Sequence, residues 1–161
     1  MPSGEVHYRF YNAGFLLEIP TFIYVATLNP IVGVGHFVGY FSHRWVDNDW
    51  DILSVNKSES RAIKELKLFG YIVFMISSLY GAIFRRKHRS FITHFPVIST
   101  AVRMCFLFFW IPILIHYGYM DLSPTLLKFF LGFLMGLSQA DAQHFLADMF
   151  WTENYFERRK K

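Results

Sequence analysis

The sequence predicts an all-α fold: a membrane-associated helical bundle with a C-terminal transmembrane hairpin and one or two bent or re-entrant N-terminal apolar segments. Three observations predict it. Hydrophobic residues make up 53 % of the chain, aromatics 20 % and charged residues only 17 %, whereas a soluble domain carries about a quarter charged residues. Val97 to Tyr117 is an apolar run that as a helix measures about 31 Å, the thickness of a hydrocarbon core. Basic residues gather in Arg85-Arg86-Lys87-His88-Arg89 and Arg158-Arg159-Lys160-Lys161. Compact clusters beside apolar runs suit anionic headgroups and the positive-inside rule better than nucleic acid. With 161 residues and no linker or low-complexity tract, residues 1–161 read as a single domain.

Taken in order, the N-terminus lacks a basic stretch followed by an apolar one, so no cleavable signal peptide is expected. Pro20 to Tyr40 is apolar but interrupted by Pro30, Gly33 and Gly35. Ser58 to Lys67 reads as a charged helix with Ser58 as N-cap. Leu68 to Phe84 is about three quarters of a comfortable span. Crossing there would set Lys57, Arg61, Lys64 and Lys67 opposite the Arg85 cluster, against the charge rule, so a bent, re-entrant or interfacial placement is expected for both stretches. In Val97 to Tyr117, Pro112 should kink the helix and Cys105 should pack as a small apolar side chain. Asp121-Leu122-Ser123-Pro124 predicts a turn, with Ser123 as N-cap and Pro124 at the first helical position. The last helix runs apolar from Leu126 to Leu137, turns polar, and ends at Trp151 before a basic tail. Both ends of this hairpin carry positive clusters, which puts them on the cytoplasmic side of a multi-pass cell-membrane protein.

Histidines and acids collect at the edges of these segments, where lipid tolerates them poorly unless they bind something. Asp141, His144 and Asp148 are spaced three, four and seven apart and fall on one helical face, as metal ligands must. A solvated or helix-pairing polar face is the plainer alternative. Asp49-Trp50-Asp51, with Asp47 close by, sets two carboxylates on one side of an extended chain, or forms a wet acidic turn. His88 and His94 bracket Arg89, Ser90 and Thr93; His88 fits equally well in the basic cluster, and Arg89 would clamp a phosphate or a lipid headgroup. His36 and His43 lie seven apart and core packing suffices for each, while His116 falls at the far end of its helix. His88 and His94 precede the hairpin and His144 and Asp148 end it, so both sets meet on the cytoplasmic face, as one divalent metal centre requires.

The opening Met-Pro-Ser-Gly-x-x-His7, the Asp49-Trp50-Asp51-Ile52 knot, His88-Arg89-Ser90-x-x-x-His94 and Asp141-x-x-His144-x-x-x-Asp148, in that order, resemble an uncharacterised microbial family of metal-binding membrane proteins. More distantly, the layout is similar to the YdjM-type membrane-bound metal-dependent hydrolases. The resemblance spans Met1 to about Trp151. It implies a helical fold and the ligand set His7, Asp49, Asp51, His94, His144 and Asp148, with His88 and Asp141 as second choices. Tyr8 stands where an acid often follows the early histidine, and Asn48 where proline is usual.

The expected function is a membrane-bound metal-dependent hydrolase holding one or two divalent ions, zinc above all given mixed His and Asp ligands. It would act on a phosphoester of a lipid or of a membrane-adjacent substrate. Asp51 or Asp141 would be the general base, and Arg89 or Arg44 would steady developing negative charge. Membrane lipids are the expected partners, and nucleic acid is not. The alternative is a non-enzymatic integral membrane protein stabilised by metal. Dense His-x-x-His-His boxes of diiron lipid enzymes are absent from the sequence, as is a basic motif leading into Ser-Gly-His; a transporter would need more helices or an oligomer.

Overall fold

A computed structural model describes the backbone of residues 4–46, 57–84 and 95–159, with side chains over 12–46, 61–83, 95–147 and at Met149. The described residues are all helical apart from short turns: α1 (Gly4–Leu28), α2 (Pro30–Ser42), α3 (Lys57–Leu66), α4 (Leu68–Phe84), α5 (Ile98–Phe108), α6 (Trp110–His116) and α7 (Pro124–Arg159). The all-α expectation therefore holds.

Each junction has a local cause. The stretch from Pro20 to Tyr40 breaks at Asn29. The extended backbone of Asn29 lets its side chain accept from the amides of Ile31 (3.1 Å) and Val32 (3.2 Å), and Pro30 occupies the first helical turn, where a missing N–H costs nothing. Pro20 sits inside α1 without ending it. The chain then doubles back, because Gly33 lies on Ala26, Phe37 on Phe22 (centroids 5.2 Å) and Tyr40 on Phe15 (6.0 Å). The expected bend is thus a tight antiparallel hairpin. Lys67, with φ 54°, turns the chain between α3 and α4. Helix α3 already includes Lys57, so Ser58 lies inside the helix and is not its cap; that expectation is corrected.

The run from Ile98 to His116 bends by 45° between Phe108 and Trp110. Pro112 has no N–H for the Phe108 carbonyl, and its ring crowds that oxygen. The kink is where proline chemistry puts it, one turn upstream. Ser123 caps α7 as expected, its Oγ accepting from the Leu126 amide at 3.2 Å. Cys105 is exposed on α5, not packed inside as its apolar surroundings suggested.

Helix α7, about 54 Å long for its 36 residues, is the axis of the fold. Helix α5 runs antiparallel to it, with Thr100 and Arg103 beside Asp141 and Phe108 beside Phe130 and Phe133. Helix α2 runs parallel to α7 and touches it backbone to backbone. Gly35 and Gly39 face the carbonyls of Phe129 and Phe133, and Gly132 and Gly136 face those of Val32 and His36; a methyl group on any of the four would overlap the opposing oxygen. Two Gly-x-x-x-Gly stripes thus interlock, a packing mode frequent where helices meet in lipid. Helix α4 lies against α5 through Tyr80 and Phe106 (5.4 Å), with Val73, Ile76 and Val102 alongside.

Helix α3 docks on the end of α2. Arg44 Nη2 donates to Glu65 Oε1 at 2.6 Å, Trp45 Nε1 donates to Glu65 Oε2 at 2.8 Å, and Arg61 reaches the Arg44 carbonyl at 3.3 Å. The Arg44 hydrogen bonds, aided by Trp45 and by the charges of Arg44 and Arg61, hold the Glu65 carboxyl below its ordinary 4.5. A depressed folded value means that ionised Glu65 favours the folded state. Its contribution is complete above about pH 4.5 and is lost as pH falls through the lower folded value. In Glu65→Gln, the melting temperature should therefore fall less than in the parent between about pH 6 and pH 3. The pair is half-exposed, so removing it should cost under about 1 kcal/mol at neutral pH.

Candidate functional site

The interior is unusually rich in polar and charged side chains. The largest fully buried side chain among the described residues is that of Arg103, joined by His36, Thr100, Asp141 and Ser77. Leu16, Leu17, Ile23, Leu68, Phe69, Met75, Phe109 and Leu127 are exposed. The polar side chains share the interior with Tyr40, Tyr80 and Leu137, while many large apolar side chains point outward.

The buried polar groups form one layer at the end of the bundle where α2 ends, α5 begins and α7 has turned polar. Arg103, wholly buried, donates through Nη2 to Asp141 Oδ2 and through Nη1 to the Val46 carbonyl at 2.8 Å. Thr100 donates its hydroxyl to the same Asp141 oxygen. His43 Nδ1 stands 3.8 Å from Asp141 Oδ1, and the His43 and His144 rings lie 5.5 Å apart. One turn inward, His36 Nε2 bonds Gln139 Oε1, Tyr40 donates to Gln143 Oε1 at 2.5 Å, and Gln143 Nε2 donates to Glu18 Oε1 at 3.1 Å. Pairing a charge before burying it is what makes such a layer tolerable in a low-dielectric interior.

Of the expected site residues, Asp141 and His144 are described, and both are buried on the face of α7 turned toward α2 and α5. Asp141 is the counter-ion of Arg103, a partner the spacing argument did not assign to it. His7 lies in α1 and Asp148 in α7, with side chains outside the described set; Asp47, Asp49, Asp51, His88, Arg89 and His94 lie outside the described residues altogether. Arg44, offered as an anion clamp, is engaged by Glu65. His116 is exposed at the opposite end. Among the described residues, no three His, Cys, Asp or Glu side chains converge on a common metal position.

Two members of the layer were undervalued in the sequence. His43 and His36 were given to ordinary packing, yet His43 pairs with His144 and touches Asp141. The signal lay in Gly35-x-x-x-Gly39 and Gly132-x-x-x-Gly136: aligning the two stripes in parallel brings α2 against α7 and His36 and His43 against Gln139 and His144.

No single described helix is long and apolar enough to cross a membrane; the bent pair Ile98–Phe108 and Trp110–His116 passes the length and composition test together. Comparison with protein-family models, curated proteins and solved structures returned no match.

Proposed function

We propose that this chain is a multi-pass membrane protein acting as a metal-dependent hydrolase at the polar end of its bundle, on a phosphoester of a lipid or membrane-adjacent substrate. The membrane part draws on the outward-facing apolar residues and the glycine-to-glycine packing of α2 on α7.

The metal part draws on the sequence neighbours of two anchored residues. Val46 is tied through its carbonyl to Arg103 and so to Asp141. The Phe95 ring meets Phe145 edge-on at 6.2 Å, one residue from His144. Asp47 is the covalent neighbour of Val46, and His94 of Phe95. Val46 and Phe95 thus lie at the level of His43 and His144, and Asp49, Asp51 and His94 are close to them in sequence. This is the observation that carries the proposal.

The residues fit a divalent metal in part. Zinc held by two imidazoles through bonds of ~2 Å puts their rings at about the separation of His43 and His144. A catalytic zinc takes three protein ligands, so Asp49, Asp51 or His94 would complete the set. A metal so bound supplies Lewis acidity and activates water. Arg103 and Thr100 hold the Asp141 carboxylate in place beside His43, which leaves Asp51 the better candidate for general base. His88 and Arg89, basic and six and five residues before His94 in sequence, would receive an anionic substrate group.

Elemental analysis of detergent-purified protein should find near-stoichiometric zinc or another divalent ion, lost in His144→Ala and in His94→Ala. Metal-free protein after mild purification would remove the proposal. A second reading, a non-enzymatic protein clipped together by metal, is favoured by the use of Asp141 as a structural counter-ion. It predicts that His144→Ala lowers the melting temperature while the parent releases no phosphate from a lipid panel. Phosphate release by the parent, abolished in His144→Ala, would decide for the hydrolase.

A further inference from the structure

Three apolar segments of this chain share one length. Helix α1 is apolar over Asn12–Leu28 and α4 over Leu68–Ile83, which at 1.5 Å per residue measure about 25 and 24 Å. The run formed by α5 and α6 would measure about 28 Å if straight, but its 45° bend lowers the height it spans to about 25 Å. Tilt would lower each figure further. The hydrocarbon core of an ordinary bilayer is about 30 Å thick, so all three fall short of it by a similar amount.

Sliding along the chain gains little. Arg9 precedes the first segment and Asn29-Pro30 ends it, Lys67 and Arg85 bound the second, and His94 and Asp121 flank the third. Exposure on α4 follows the same limits. Leu68, Ile72, Met75, Leu79 and Ile83 are all exposed, and their spacing of four, three, four and four puts them on one helical face. The stripe runs from the first turn of α4 to the last, and no charged side chain interrupts it. Lys64 and Lys67, exposed at the turn just before it, carry the polarity expected at headgroup level.

An apolar belt shorter than the lipid core cannot adapt by tilting, which only shortens it. The bilayer must thin around it instead, at a cost that grows with each ångström of mismatch. We propose that the partner of this outer surface is a thin phospholipid bilayer, with a hydrocarbon core of about 25 Å, and that the protein thins an ordinary membrane around itself. The proposal rests on the membrane part of the proposed function and not on its metal part.

The test is thermal unfolding of the full chain, one copy per nanodisc, in dimyristoleoyl, dioleoyl and dierucoyl phosphatidylcholine. These lipids share a headgroup and run from a thinner to a thicker core than the ordinary ~30 Å. The melting temperature should be highest in the dimyristoleoyl disc, about 4–8 °C lower in the dioleoyl disc, and lower again in the dierucoyl disc. Leu68→Lys changes an exposed side chain at the end of the stripe. It should cost under about 2 °C in the thinnest disc and more in the others, where that position enters hydrocarbon. Met75→Lys, at the middle of the stripe, should cost about 5–10 °C in every disc. A chain that enters no disc overturns this inference together with the membrane reading. A chain that enters all three and melts no lower in dioleoyl than in dimyristoleoyl lipid overturns this inference alone, as does a Met75→Lys loss no larger than that of Leu68→Lys.

Discussion

Gly39→Val and Gly136→Val are expected to lower stability by on the order of 3 kcal/mol each, or to prevent folding. In a chain of this size that amounts to a melting temperature about 6–12 °C lower in detergent. The reason is the identity of the blocking atoms. Opposite Gly39 is the Phe133 carbonyl oxygen, and opposite Gly136 that of His36. Side chains can rotate away from an added methyl group, but a helical backbone moves only as a whole. The two helices would have to separate along their length, pulling His36 from Gln139 and Tyr40 from Gln143 with them. Gly118 is the control. It has φ 73° and nothing within 4 Å of a built Cβ, so Gly118→Asn, a residue that accepts this backbone region, should change stability by under about 0.5 kcal/mol. A Gly39→Val protein that melts within a degree of the parent would show that α2 and α7 do not pack this way.

Helix limits and local breaks were legible in the sequence wherever their cause is local. Ser123-Pro124 starts α7 and Pro112 bends the run from Ile98 to His116; Leu68 to Phe84, expected to be bent, re-entrant or interfacial, is one continuous helix. The parallel pairing of α2 with α7 joins residues about a hundred positions apart, such as His36 with Gln139, and hydrophobic periodicity is silent about such partners. The glycine stripes did encode it, but in the Pro20 to Tyr40 stretch the glycines were taken as breaks, when it is Asn29 that breaks the helix and the glycines that join it to α7.

The site was legible in part for a related reason. Spacing put Asp141 and His144 on one face of a helix, and both are buried on it. Spacing alone cannot say who faces them. The spacing offers Asp141 as a ligand, yet it is the partner of Arg103. Recognising the pair required the hairpin register, which sets Thr100 and Arg103 level with Asp141. The clusters around Asp49 and His94 lie outside the described residues, so the meeting of front, middle and tail on one cation stands as the proposal that metal analysis tests.

The second large effect is expected from splitting the buried ion pair. Arg103→Met strands the Asp141 carboxylate with Thr100 as its nearest donor, and Asp141→Leu strands the guanidinium. Each should cost about 3–5 kcal/mol, because a buried charge without its partner loses the attraction and keeps the desolvation penalty. The double variant Arg103→Met/Asp141→Leu removes both charges and should recover most of that loss. Denaturant or thermal unfolding of the four proteins closes the cycle; single variants no less stable than the double would mean that the charges are not paired in the interior. The same double variant bears on function. Under the proposed hydrolase reading, Asp141 is either the counter-ion alone or also part of the chemistry beside His43, 3.8 Å away. If the proposed metal and phosphate release are found in the parent, a folded double variant that keeps both would confine Asp141 to support and leave Asp51 as the base. One that keeps metal but loses turnover would return Asp141 to the reaction, with Arg103 as the residue that positions it.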